Sequence, residues 1–164
     1  MNKYSLSPIC LVRRSVLLKL RAALVLAACA SAPPPPKPVV VKLTMQAAPG
    51  INPDQRGRPS PVALKVFELK SLATFERSDF FSLFDRERET LGAELVARDE
   101  FVIKPGDRIA QERKLSPDTK FIGIVVGYRD LERSQWRLSI PAEVASAQPL
   151  IIEVDANRVA QKGK

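Results

Sequence analysis

Residues 39–45 read Val-Val-Val-Lys-Leu-Thr-Met, a β-branched apolar run broken only at Lys42 and Thr44, and such residues favour extended chain. A second run places Val62, Leu64 and Val66 alternately with Ala63, Lys65 and Phe67, the two-residue period of a strand. Phe101-Val102-Ile103 stops at the turn pair Pro105-Gly106. Ile109, Gln111, Arg113 and Leu115 mark another alternating run, closed by Ser116-Pro117-Asp118. Residues 121–128 are apolar at nearly every position, as expected of a central strand covered on both faces. Trp136, Leu138 and Ile140 alternate with Gln135, Arg137 and Ser139, and Ile151-Ile152-Glu153-Val154 reads as the last strand. Seven or eight short strands separated by turns predict a β-sandwich.

One stretch changes period. Phe80, Leu83, Phe84 and Leu91 recur at helical spacing, with Ser78 or Asp79 placed to cap and Gly92 placed to stop. The charges at Asp85, Arg86, Glu87, Arg88 and Glu89 fall between them and read as a solvated face. Phe75, Phe80, Phe81 and Phe84 read as a stripe packed on the sandwich rather than as a ligand pocket. The predicted fold is therefore mainly β, a two-sheet sandwich with one inserted helical element.

Between the first two strands, residues 49–61 form a connection longer than a hairpin needs, and loops of this length are often functional. Its four prolines, Pro49, Pro53, Pro59 and Pro61, restrict the chain, so ordering it on a partner costs less entropy. Arg56 and Arg58 offer forked donors for acidic groups, while Asn52 and Asp54 form local turns. Only Ile51 has much apolar surface to bury, so the loop is expected to contribute little to stability. The turns at Pro105-Gly106 and at residues 129–134 are the other candidate docking surfaces.

Composition alters this picture mainly at the N-terminus. The first 28 residues carry Lys3, Arg13, Arg14, Lys19 and Arg21 and no acid, then lead into an apolar run over residues 22–28. That is the layout of a secretory signal, too short to span a bilayer. Leu26-Ala27-Ala28-Cys29 resembles a bacterial lipobox, which implies a diacylglycerol on the Cys29 sulfur and an N-acyl chain such as palmitate on its amine. Two or three chains make such an anchor durable. Ala30 stands where an aspartate signals inner-membrane retention in enterobacterial-type lipoproteins, so the outer membrane is expected. Residues 29–38, with Pro33, Pro34, Pro35, Pro36 and Pro38, form a tether, and polyproline II at about 3.1 Å per residue sets the domain roughly 20–25 Å from the membrane. The chain's formal charge of +8 falls to +3 without the leader, so basicity gives no case for nucleic acid. Cys10 lies in the leader, which leaves Cys29 without an intramolecular disulfide partner. Histidine is absent, which removes the usual base of a hydrolase and the commonest zinc ligand. No catalytic residue, metal site or cofactor beyond the Cys29 lipid is expected. The remaining chain divides into the sandwich over residues 39–161 and a tail over 162–164.

Several phrases together resemble the type VI secretion lipoproteins, the TssJ family. They are Asn52-Pro53-Asp54 through Gly57-Arg58-Pro59-Ser60-Pro61, Val66-Phe67-Glu68-Leu69-Lys70, Asp79-Phe80-Phe81-Ser82-Leu83-Phe84, Leu91-Gly92-Ala93-Glu94-Leu95, Tyr128-Arg129-Asp130-Leu131 and Trp136-Arg137. The resemblance implies a transthyretin-like sandwich at the periplasmic face of the outer membrane. It also implies a partner, the periplasmic domain of the inner-membrane subunit TssM, and through it TssL. In that family the loop joining the first two strands contributes to the contact, which maps partner binding onto Asn52, Asp54, Arg56, Arg58 and Ser60. Two rivals are a carrier holding a small apolar ligand between the sheets with Phe81, Phe121 and Trp136, and a hydrolase using Asp99, Glu100 or Asp85.

Overall fold

The computed structural model describes residues 39–163. The signal over 1–28, Cys29 and the tether over residues 29–38 lie outside the described residues, as does Lys164. Among the described residues the strands are β1 (Val40–Ala47), β2 (Val62–Leu69), β3 (Leu95–Ile103), β4 (Arg108–Lys114), β5 (Phe121–Val126), β6 (Arg137–Pro141), β7 (Leu150–Val154) and β8 (Val159–Gln161). Helices α1 (Ala73–Arg77), α2 (Phe80–Phe84) and α3 (Glu87–Leu91) follow β2, and α4 (Ala142–Ala147) joins β6 to β7. One sheet has the order β4-β1-β7-β8 and the other β3-β2-β5-β6. All recorded strand pairs are antiparallel except β1 with β7.

Period-two patterning explains the core between the sheets. Val41, Leu43 and Met45 of β1 and Ile152 and Val154 of β7 meet Val62, Leu64 and Val66 of β2 and Ile122, Ile124 and Val126 of β5, all buried. Each such side chain contributes about 1.5–3 kcal/mol when fully covered. The intervening residues Phe67, Leu69 and Val125 are buried too, on the opposite face, against Phe75, Leu83 and Leu91 of the helices. β2 and β5 therefore lie covered on both sides; for β5 the apolar run over residues 121–128 predicts this, while the burial of the outer face of β2 goes beyond its period-two pattern. Gly123 is needed at this contact, because a Cβ there would stand 2.8 Å from the Phe75 ring.

The structure corrects several details. The inserted element is three five-residue helices rather than one. Ser78 turns extended after α1, Asp79 caps α2 by accepting from the Ser82 N–H at 3.0 Å, and Arg86 leaves helical geometry before α3. Gly92, at φ 48°, ends α3 as expected. The charged run of residues 85–89 is not wholly solvated. Glu87 is only 6% exposed, pairing with Lys65 at 3.3 Å and Arg98 at 2.8 Å, and Lys65 also donates to the Phe84 carbonyl. β3 begins at Leu95, well before the Phe101 triplet, because an edge strand tolerates Arg98, Asp99 and Glu100. The last strand is β8, and α4 was not foreseen.

Two poles result. Leu115 donates to the Val39 carbonyl, Lys120 to that of Leu69, and Ala142 to that of Lys120. The β4–β5 loop, the end of β2 and the start of α4 thus gather where the described chain begins. At the other pole Ala47 donates to Asp107, Ala48 to Val154 and Asn52 to Ala156. That pole assembles the β1–β2 loop, the β3–β4 turn and the β7–β8 turn, with the β5–β6 loop beside them.

Near the first pole a buried ion pair joins the sheets. Glu68 of β2, 3% exposed, accepts from Arg113 Nε of β4 at 2.8 Å, Thr119 Oγ1 at 2.7 Å and the Ser116 N–H at 3.1 Å. Arg113 also reaches Asp99 of β3 at 2.6 Å. Burial alone would raise the Glu68 pKa, but the bonds from Arg113, Thr119 and Ser116 outweigh it and hold the carboxyl below its ordinary value of 4.5. A lowered folded-state pKa gives stability that is present above about pH 4.5 and lost as pH falls through the folded value. Glu68→Gln is expected to lower stability by about 2 kcal/mol at neutral pH and to flatten the wild-type loss in acid. Denaturant melts of both proteins from neutral pH down to about pH 3 measure this; superimposable acid profiles would show the clamp to be idle.

Candidate functional site

The β1–β2 connection is built around two short polar side chains. Ile51 anchors its first half in the core, fully buried. Asn52 follows at φ 45°, a left-handed conformation that Asn tolerates better than most residues. Its Nδ2 donates to the Pro61 carbonyl at 3.1 Å, its Oδ1 accepts from the Arg129 N–H at 2.8 Å, and its own N–H donates to Ala156 at 3.1 Å. At 5% exposure, Asn52 is the bolt that holds three loops together.

Asp54 organises the tip. Its Oδ1 accepts from the Arg56 and Arg58 N–H groups at 2.8 and 2.9 Å, and its Oδ2 receives the Arg58 fork at 2.8 Å from Nε and 2.7 Å from Nη2. The Asp54 N–H donates to the Arg58 carbonyl and the Gly57 N–H to the Asp54 carbonyl, both at 2.9 Å. Gly57 closes this turn at φ 75°, which glycine adopts without steric cost. The Arg58 backbone and side-chain bonds, with Arg129's charge adding to them, hold the Asp54 carboxyl below its usual range. Arg56 projects exposed from the tip, and the Ser60 N–H donates to the Ile51 carbonyl at 3.1 Å.

The loop forms one wall of a cleft of about 920 Å³. Asn52, Pro53, Asp54, Gln55 and Arg56 line that wall, Tyr128, Arg129, Asp130 and Arg133 line the next, and Ala156 and Asn157 close it. The five sequence-derived residues thus separate by role. Asn52 and Asp54 shape the site, Arg56 faces the cleft, Arg58 braces Asp54, and Ser60 sits at the base of the loop without lining the cleft. Ile51 is buried as the sequence reading allows, and the expectation that the loop otherwise adds little to stability is corrected by Asn52, buried and bonded through both Nδ2 and Oδ1. Of the residues beyond the loop, Arg129 and Arg133 fall within the candidate turn over 129–134. Ala156 and Asn157 carry no sequence signal, since only the pairing of β7 beside β1 brings them here.

Tyr128 adds a buried hydroxyl with no hydrogen-bond partner. Burial, and then the Asp155 carboxylate, push its pKa well above the usual tyrosine value, so the hydroxyl stays neutral.

The rival sets do not assemble. Phe81 is 59% exposed on α2, Phe121 packs with the helical layer and Trp136 against both cores, so the three share no space between the sheets. Asp99 is bound by Arg113 at 2.6 Å, Glu100 lies 3.3 Å from Arg98 and 3.8 Å from Lys65, and Asp85 is exposed.

Comparison with known proteins follows this geometry. The family model described as type VI secretion lipoprotein (VasD, EvfM, TssJ) matches residues 39–157. The crystal structure of the T6SS lipoprotein TssJ1 from Pseudomonas aeruginosa is similar at 34% identity and a TM-score of 0.70, over 77% of this chain and 97% of that one. Serratia marcescens Lip, a membrane-bound component of the type VI secretion system, is similar at 26% identity and 0.70, over 77% and 98%. A chain in the structure of the T6SS protein TssM C-terminal domain from EAEC shares the fold at 23% identity and 0.67, over 76% and 98%. No individual curated protein matches.

Asn52→Gly keeps the backbone conformation but deletes both side-chain bonds, and is expected to cost about 1–3 kcal/mol. Asn52→Ala is expected to cost about 1 kcal/mol more, for the left-handed backbone. Thermal melting of the two variants measures this; an unchanged midpoint in both would show that the three loops hold together without the Asn52 side chain.

Proposed function

Because the chain belongs to the type VI secretion lipoprotein family, we propose that it is an outer-membrane-anchored structural component of the secretion system's membrane complex, without catalytic activity. The reading has Cys29 acylated, the polyproline segment spacing the domain from the membrane, and the β1–β2 loop docking the periplasmic domain of TssM, with TssL joined through it. The observation that carries it is the two-pole layout. The described chain begins at one pole, beside Leu115 and Lys120, and the Asp54-braced loop lies at the other. A chain fixed by its N-terminus at a membrane would therefore present that loop away from the membrane. The presence of this fold in a structure of the TssM C-terminal domain supports the choice of partner. Ala30, with no aspartate after Cys29, supports the outer membrane.

The anchor is tested by Cys29→Ser. Envelope fractionation should find the variant soluble in the periplasm, with secretion lost; retention in the outer-membrane fraction would refute the lipid anchor.

Docking is tested by replacing residues 53–59 with a Gly-Ser bridge while keeping Ile51, Asn52 and Ser60. Closure entropy grows only logarithmically with length, and the deleted Arg58–Asp54 pair is at the surface, where such pairs contribute about 0–1 kcal/mol. The melting temperature should fall by only a few degrees. Affinity for the TssM periplasmic domain, followed by calorimetric titration, should fall at least about tenfold, as loss of preformed interface anchors commonly does. Unchanged affinity would place the docking surface elsewhere.

A further inference from the structure

The cleft shows a charge pattern that the β1–β2 loop alone does not. Its lining includes Arg56, Arg129 and Arg133 against Asp54 and Asp130. The acids are already engaged. Both Asp54 oxygens are bound by Arg58 and by loop N–H groups. Asp130 accepts from the Arg133 N–H at 3.3 Å and lies 4.0 Å from the Arg133 guanidinium. The nearby Asp155 is met by Arg158 at 3.5 Å. Arg56 and Arg129 are thus left without a carboxylate among the described residues, on two walls of one concave site.

A guanidinium is a planar fork that matches a carboxylate with two parallel bonds. Two of them on two walls of one cleft, with Asp54 paired to Arg58 and Asp130 held only loosely by Arg133, form a receptor for negative charge. The walls are stiff, because Asp54 braces one and Asn52 bolts it to the other, so little ordering remains to oppose binding. We propose that the cleft receives an acidic segment of the docking partner, with carboxylates held by Arg56 and Arg129 and with Arg133 at the rim. This rests on the docking reading for the partner's identity, but the preference for acidic chain can be tested without it.

The experiment uses the full chain purified in detergent, in wild-type form and as the double variant Arg56→Glu/Arg129→Glu. Both residues are exposed, so melting temperatures should agree. Two probes are titrated: the TssM periplasmic domain, and a synthetic ten-residue peptide of alternating glutamate and glycine. Against TssM at about 0.05 M salt, charge reversal should weaken binding at least about tenfold. The gap should shrink to about threefold or less at about 0.5 M salt, since exposed charges are screened. The acidic peptide should perturb the amide resonances of Arg56 and Arg129 in the wild type and not in the variant. Affinity for TssM that is indifferent to reversal, while the Gly-Ser loop replacement abolishes binding, would overturn acidic recognition and leave docking standing. If the wild type does not bind TssM, the docking reading fails, and the peptide alone decides: perturbation at the two arginines supports the proposal, and none overturns it.

Discussion

The pole that carries the β1–β2 loop depends on Asn52, whose side-chain amide and backbone N–H both bond across it. Its β1–β2 connection crosses from one sheet to the other, the Arg129 it binds lies on the β5–β6 loop of the second sheet, and Ala156 lies on the β7–β8 turn of the first. The Asn52 side chain therefore ties the β1–β2 and β5–β6 loops while its backbone N–H reaches the β7–β8 turn, beside the Gln135–Arg158 β-bridge that also joins the two sheets at this pole. A buried amide left half-satisfied costs about 1–3 kcal/mol, while a fully bonded one fixes geometry. Glu68 does the same work toward the other pole, joining β2 to β4 through Arg113. Apolar packing between the sheets is non-directional and would tolerate some sliding. The two polar ties, with the backbone bridge between Gln135 and Arg158, set the registration that packing leaves open.

The helical layer extends this logic to the outer face of the second sheet. Phe67, Leu69 and Val125 would be exposed on a bare sandwich, and Phe75, Leu83 and Leu91 cover them. Lys65 shares that face, and its ammonium is satisfied by Glu87, by the Phe84 carbonyl and by the Phe84 ring at 4.7 Å. Removing Glu87 would leave the buried Lys65 ammonium only the more distant Glu100 carboxylate, at 3.8 Å, as counterion, so the network fixes where the short helices sit. Three helices of five residues have little intrinsic stability. They persist because their apolar side chains fill the sheet and their charges answer Lys65 and Arg98.

Much of this was legible in the sequence because period two and apolar runs report burial directly. The alternation of Val62, Leu64 and Val66 and the continuous run after Phe121 gave the right strands and correctly placed β5 in the middle of its sheet. Failures occurred where burial and polarity part company. β3 extends well before the Phe101 triplet because an edge strand holds Arg98, Asp99 and Glu100 at little cost, and these charges leave no apolar period to mark the extension. Glu87 was read as solvated because its two cations, at Lys65 and Arg98, are distant in sequence. The loop itself stood out by its length and prolines, and the turns at Asn52 and Asp54 were foreseen. Its dependence on Arg129 and Ala156 was not, since those contacts span 77 residues in one case and exist only once both sheets are closed. Local chemistry is written locally, and a composite cleft is not.

The poles also define how force would cross the molecule under the proposed anchoring and docking. β1 starts at the pole where the described chain begins and leads into Ile51 and Asn52, so under that reading it runs from one attachment toward the other. Its eight residues span about 26 Å at roughly 3.3 Å each. β1 is internal to its sheet, bonded to β4 on one side and β7 on the other. A pull along its axis loads both ladders in shear, sharing the strain over many hydrogen bonds at once, whereas an edge strand peeled from its sheet would lose them one by one. The load then reaches the loop, where the Asn52 bonds carry it sideways to the β5–β6 loop and the β7–β8 turn. A flexible loop would absorb that displacement in its own extension. The prolines, the Asp54 brace and the buried Asn52 deny it that slack, so an anchor at one pole and a partner at the other would be coupled through the sheet itself.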